Sequence, residues 1–318
     1  MRTSPRRSPI TLILALTVAS ISGLLGCAED DAPAPDPGEP RPGGSLELAA
    51  TGPARHFDPI LARGFAERLV ARQVSEPLLA RSQEPFVAPG SRESAGLAIR
   101  AAPTDGATVW RIELREGVRF QDGARLDAAA VLANAARWQT LGAPAAAGLL
   151  GADSPKPGLV RFILAAPDRG FGSSLAAPEL GLVSPRAIEA DGTIEPGTAS
   201  GSGAYELVAR APGRIELRRY DNWWGGPLEL GPGFEEILLH REGSRGALAA
   251  LERGEVKLAG ELDPPELDGA ARDPLLGAAG GADSGTMLRL AVERSLRGID
   301  DETDLPALSG AWSTELAG

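Results

Sequence analysis

The sequence predicts a mixed α/β domain, and three observations predict it. Short runs of alternating apolar residues recur along the chain, helix-like segments with start and stop signals separate several of them, and two such runs meet at a Pro-Gly turn. No internal repeat of fixed period accompanies the pattern. A chain of 318 residues is long enough to bury the core of one large domain or two smaller ones.

Ser45–Ala50 alternates and reads as a strand, followed by a loop from Thr51 to Pro59 that carries Gly52, Pro53 and Pro59. From Leu61 to Leu79, Phe65, Leu69, Val74 and Leu78 recur at helical spacing, with Pro77 as the stop signal. The stretch Glu84–Gly106 is rich in Pro, Gly and Ala and reads as irregular. Val109–Leu114 places Trp110, Ile112 and Leu114 on one face of a strand, and Gly117–Phe120 extends that signal to a turn at Gln121-Asp122-Gly123. Asp127 is the N-cap of a helix from Ala128 to Trp138, because its short carboxylate can accept an otherwise unpaired helix N–H. Val160–Leu164 is a short strand, and Ser184-Pro185 opens a helix with a cap and a proline at the first position. Tyr205–Ala209 and Arg214–Tyr220 form a hairpin through Pro212-Gly213. Glu236–His240 is a strand, Ser244 caps a helix from Ala247 to Glu252, and Glu255–Ala259 is extended. Met287–Val292 alternates once more, and from Leu296 to Gly318 the hydrophobic order fades.

The composition excludes several functions. With 32 Lys and Arg against 43 Asp and Glu the net charge is −11, so phosphate backbones are repelled and no nucleic-acid partner is expected. Two His and one Cys leave almost nothing from which to build a metal site or a Cys/His nucleophile. No cofactor and no enzymatic activity are therefore expected.

The N-terminus reads as an address. Arg2, Arg6 and Arg7 precede the apolar run Ile10–Ala19, which is too short to span a bilayer. Residues 1–26 are expected to be a leader, and Leu24-Leu25-Gly26-Cys27 resembles the bacterial lipobox, which implies that Cys27 is lipidated. Residues 27–42 interleave Glu29, Asp30, Asp31, Asp36 and Glu39 with proline. Such a segment is stiff and solvated, a tether between a membrane and a folded body. The body is expected over 43–295, followed by a poorly ordered tail over 296–318.

Three stretches go beyond a generic α/β pattern: Glu113–Val131, Gly201–Leu207 continued by Pro212–Leu217 and Tyr220–Gly226, and Leu248–Lys257. In this order and spacing they resemble the family 5 extracellular solute-binding proteins, the oligopeptide, dipeptide and nickel receptors of ABC importers. Gly43–Leu48, His56–Pro59 and Ser75-Glu76-Pro77-Leu78 look like that family's N-terminus. The resemblance implies a periplasmic-binding-protein-like fold of type II, first lobe plus small accessory domain, with the second lobe largely absent. It further implies a peptide or other small solute as ligand, an ABC permease as partner and a position outside the cytoplasm. Asn222-Trp223-Trp224-Gly225-Gly226 is expected to place two rings over a sheet edge. The competing reading is a truncated lipid-anchored interaction module that has lost solute capture.

In such receptors the first strand ends at the ligand cleft, so the loop after Ala50 holds the candidate contacts: Thr51, Arg55, His56 and Asp58. Arg55 has the planar donor fork that suits a ligand carboxylate. His56 has no second His close in sequence, and His240 falls on a strand, so no metal is assigned there. Gly201-Ser202-Gly203 lacks the Lys and spacing of a phosphate loop and reads as the entry to the hairpin.

Overall fold

The computed structural model describes residues 43–52, 54–80, 96–226, 234–242, 244–262, 264–272, 276–283 and 286–293. The expected leader, Cys27, the tether and the tail over 296–318 lie outside the described residues. The described residues build a mixed α/β fold with two sheets.

The larger sheet contains, in chain order, β1 (Ser45–Ala50), β6 (Tyr205–Ala211), β7 (Arg214–Arg219), β8 (Glu236–Arg241), β9 (Leu258–Gly260), β10 (Leu276–Asp283) and β11 (Thr286–Glu293), in the spatial order β10-β11-β9-β1-β8-β7-β6. At its centre β1 runs parallel to both β8 and β9, with Leu48 opposite Leu239 on one side and Leu258 on the other. A parallel strand is covered on both faces, and β1 meets that requirement. Leu46, Leu48 and Ala50 join a core with α1 (Gly64–Val74), while Ala49 joins a second core with Leu251 of α4 (Ser244–Glu252) and Ala270 of α5 (Pro264–Arg272).

The smaller sheet orders β2 (Ala98–Thr104), β3 (Val109–Leu114), β5 (Leu159–Leu164) and β4 (Leu149–Lys156) as β2-β3-β5-β4, all antiparallel. Trp110, Ile112 and Leu114 of β3 pack with Val160, Phe162 and Leu164 of β5 against Val131 and Trp138 of α2 (Ala128–Thr140). Asp127 caps α2 as expected, its Oδ1 accepting the Ala130 N–H at 3.0 Å. The remaining helical turn, α3 (Phe171–Ser174), seats Phe171 edge-on to Phe162.

Four expectations need correction. Helix α1 stops at Val74, short of Leu79, because the Val74 carbonyl accepts the Gly203 N–H and Ser75 turns extended. Part of the stretch read as irregular is β2, an edge strand on which Pro103 does not interrupt the pairing with β3. Gly117–Phe120 does not continue β3; it forms only an isolated bridge, Arg119 opposite Arg125. Ser184-Pro185 opens a single three-residue turn, not a helix, because Ile188 is already extended.

Candidate functional site

Loops that follow the carboxyl ends of parallel strands collect at one edge of a sheet, and in open α/β sheets ligands bind there. In this protein that edge is made by Ala50, Arg241 and Gly260, and the loop Thr51–Asp58 leaves from its middle. Arg55 is exposed, and Thr51 and His56 are half-buried.

Two carboxylates hold the loop. Glu67, buried in the first turn of α1, reaches back past its own helix. Its Oε1 accepts the N–H groups of Arg55 at 2.6 Å and His56 at 3.1 Å, and its Oε2 accepts that of Arg63 at 2.8 Å. This satisfies a donor at the helix start that the Arg63 side chain leaves uncapped. Glu261, just beyond β9, accepts the Phe65 N–H at 2.6 Å, and the Thr51 hydroxyl lies 3.4 Å from its carbonyl oxygen and 3.5 Å from its Oε2. Glu261 adopts φ 60, a left-handed backbone that is strained for a residue carrying a Cβ. The crowding around it explains a glycine: a Cβ on Gly260 would lie 2.6 Å from the Phe65 ring. Two arginines complete the clamp, Arg210 donating to the Ala54 carbonyl at 3.1 Å and Arg241 to that of Gly52 at 3.3 Å.

Asp58 is removed from the contact set. Its side chain is 1% exposed and ion-pairs with Arg137 of α2, itself 1% exposed. Oδ1 accepts the Ile60 N–H at 3.0 Å, and the Arg137 Nε donates to the Gly192 carbonyl at 2.9 Å. Asp58 therefore ties the loop to the smaller sheet's helix and has no oxygen to offer a ligand. Thr51, Arg55 and His56 remain at the edge. Among the described residues the side chains of Arg55 and His56 enter no salt bridge and accept or donate no hydrogen bond; Arg55 is exposed and His56 half-buried.

Glu67, Glu261, Arg210 and Arg241 were missed by sequence reasoning. Glu67 had a signal, an acid in the first turn of an expected helix. Glu261 had none, since its partners Phe65 and Thr51 lie about two hundred positions away.

A second polar cluster joins two of the sequence motifs. The Glu76 carboxylate accepts the Trp224 indole N–H at 2.9 Å, the Ser202 hydroxyl at 2.9 Å and the Trp223 indole N–H at 3.2 Å. The two rings therefore cap a carboxylate, and Trp224 also packs against the core of the smaller sheet. Burial pushes the Glu76 carboxyl up to about 7, although the three hydrogen bonds and the Arg115 charge pull it back. Gly201 and Gly203 pass close by: a Cβ on either would lie 2.1 and 2.3 Å from the carbonyl oxygens of Val74 and Gln73. The described residues hold no cluster of three or more potential metal-ligating side chains, and none of their helices is long and apolar enough to cross a membrane.

A family model described as bacterial extracellular solute-binding proteins, family 5 Middle, matches residues 76–293. No curated protein sequence matches the chain. Among solved structures the chain is similar to the ABC transporter-associated periplasmic binding protein DppA of Helicobacter pylori in complex with the peptide STSA, with a TM-score of 0.62 at 17% identity over 76% of this chain and 51% of that one. It is similar to an ABC transporter substrate-binding protein of Sinorhizobium meliloti, with a TM-score of 0.60 at 24% identity over 74% and 48%. NikA of Brucella suis in complex with Fe(III)-EDTA gives a TM-score of 0.61 at 20% identity over 76% and 49%. The chain spans about half the length of these structures.

Proposed function

We propose, from a chain that belongs to the bacterial extracellular solute-binding proteins of family 5, that this protein captures a peptide or similar small solute and passes it to an ABC permease. Capture is non-covalent, and no bond is broken. Lipidated Cys27 holds the body at the outer face of the cytoplasmic membrane or in the periplasm, beyond the acidic, proline-rich segment.

The observation that carries this reading is the pairing of an exposed, unpaired Arg55 with a loop whose backbone is fixed by Glu67. A peptide is a zwitterion. The Arg55 guanidinium offers two parallel N–H donors to a carboxylate, while the half-buried Glu261 supplies negative charge near the same edge. Because α1 directs its first N–H groups at Glu261 and Glu67, the helix start is already neutralised by the protein's own carboxylates. Recognition of the ligand's negative end therefore falls to Arg55 and His56.

The test is thermal unfolding of the full chain in mild detergent, with and without a mixed peptide pool. A ligand specific to the folded state adds about 2.7 kcal/mol at a hundred times its dissociation constant, which raises the midpoint. The shift is expected with the wild-type protein and lost in Arg55→Ala. Cooperative unfolding that no pool moves would overturn solute capture. It would favour the second reading, a lipid-anchored interaction module.

A further inference from the structure

We infer that the smaller sheet carries a separate site for a small multivalent oxyanion, a di- or tricarboxylate or a phosphate, in the cleft between the end of β3 and the start of α2. The cleft has a volume of about 500 Å³, within the range of small-molecule sites. Arg115, Arg119 and Arg125 line it, over a base of Leu114, Val118 and Leu126, all three buried.

The charge arrangement carries the inference. Arg119 and Arg125 stand directly opposite each other in an isolated antiparallel bridge. Like charges in that relation repel, so the pairing costs stability unless an anion lies between them. Among the described residues neither enters a salt bridge; the Arg119 Nη1 donates only to the Gly123 carbonyl at 3.0 Å. Arg115 is held in place, its guanidinium 4.5 Å above the Trp224 ring and its Nε donating to the Gly96 carbonyl at 3.2 Å. Two acids also line the cleft. Asp127 is already engaged, its Oδ1 capping α2 through the Ala130 N–H, and Glu116 is exposed on the turn. Three arginines against two acids line one concavity on a chain of net charge −11, which leaves net positive charge beside the facing Arg119 and Arg125, where an oxyanion fits. An oxyanion with two or more charges meets Arg119 and Arg125 together, with Arg115 fixed beside them.

This site is independent of the solute-capture reading and is tested separately. Citrate and inorganic phosphate are titrated in turn into the full chain in mild detergent, with ionic strength held constant by chloride. The midpoint of thermal unfolding is followed for the wild type, Arg119→Gln, Arg125→Gln and, as a distant control, Arg214→Gln. Excluded salts raise the midpoint without saturating, so saturation and dependence on the variant are the readouts. A saturating rise with citrate, weakened at least tenfold in Arg119→Gln and Arg125→Gln but kept in Arg214→Gln, is the expected result. The same pattern with phosphate assigns the site to phosphates. Both arginines are exposed, so their exchange leaves the core intact, and Arg125→Gln also leaves the hydrogen bond to Gly123 in place. A rise that never saturates, or that Arg119→Gln and Arg125→Gln leave unchanged, would overturn the inference.

Discussion

Glu76 makes the protein more stable in mild acid than at neutral pH. Its carboxyl sits where burial outweighs the hydrogen bonds from Trp224, Ser202 and Trp223 and the Arg115 charge, so its pKa lies at about 7 in the folded chain against an ordinary 4.5. A folded-state pKa raised above the unfolded one means that the folded chain holds its proton where the unfolded chain has lost it. The stability this contributes is complete below pH 4.5 and is lost as the pH rises through 7. At about 1.4 kcal/mol for each tenfold change in proton affinity, it amounts to about 3 kcal/mol across that window. The perturbation is Glu76→Gln, which removes the titration and keeps the shape. Its amide oxygen accepts one indole N–H, but the amide NH2 then faces the other. One lost hydrogen bond at this depth costs about 1–3 kcal/mol. Urea unfolding from pH 4.5 to 8 measures both effects. The wild type is expected to be the more stable at pH 4.5, the variant to gain on it steadily, and the two to cross or converge by pH 8. A difference between them that stays constant with pH, or grows in the wild type's favour, would refute the reasoning.

Asp58→Asn leaves the Arg137 guanidinium buried without its anion and is expected to cost about 3–5 kcal/mol in urea unfolding, whereas Asp58→Leu combined with Arg137→Met recovers most of that loss. Asp127→Ala removes the Ala130 hydrogen bond at the start of α2, a loss of about 1 kcal/mol by the same measurement. Gly201→Ala drives a methyl to 2.1 Å from the Val74 carbonyl and is expected to cost at least about 3 kcal/mol, seen as a lowered thermal midpoint and loosened near-ultraviolet signals from Trp223 and Trp224.

How far the fold was legible depended on whether a segment's state was decided locally. β1, β3 and the β6–β7 hairpin alternate in their own residues, and α2 carries its cap at Asp127, so each was readable in place. β2 reads Ala-Ile-Arg-Ala-Ala-Pro-Thr and β4 Leu-Leu-Gly-Ala-Asp-Ser-Pro-Lys. Neither has strand propensity worth the name, and both are strands because β3 and β5 offer them partners. The end of α1 followed the same logic: helical spacing ran on toward Pro77, but Gly203, from the far end of the smaller sheet's chain, claimed the Val74 carbonyl. α5 and β10 were not foreseen at all. Arg55 and His56 stand out in sequence as polar groups just after a first strand, and the structure places both at that edge of the sheet. Asp58 looked the same in sequence, yet its partner Arg137 lies 79 positions on, and only that contact turns a candidate ligand into a buried tie.

The tie bears on what the edge can do. A loop that recognises a small solute loses affinity for every torsion it must freeze on binding, so a loop frozen beforehand binds more tightly for the same contacts. Between Thr51 and Asp58 the loop is held at both ends and in the middle: its backbone by Arg241 at Gly52, Arg210 at Ala54 and Glu67 at Arg55 and His56, and its side chains by Glu261 at the Thr51 hydroxyl and Arg137 at the Asp58 carboxylate. All of those groups are drawn from outside the loop. On the proposed reading the loop separates two tasks, with Glu67, Arg210, Arg241 and Arg137 fixing it and Arg55 and His56 left for the ligand. Five charged residues from elsewhere converge on its carbonyls, N–H groups, the Thr51 hydroxyl and Asp58. Such convergence is what the contact surface proposed for this edge requires, because a backbone fixed in advance costs less entropy to bind.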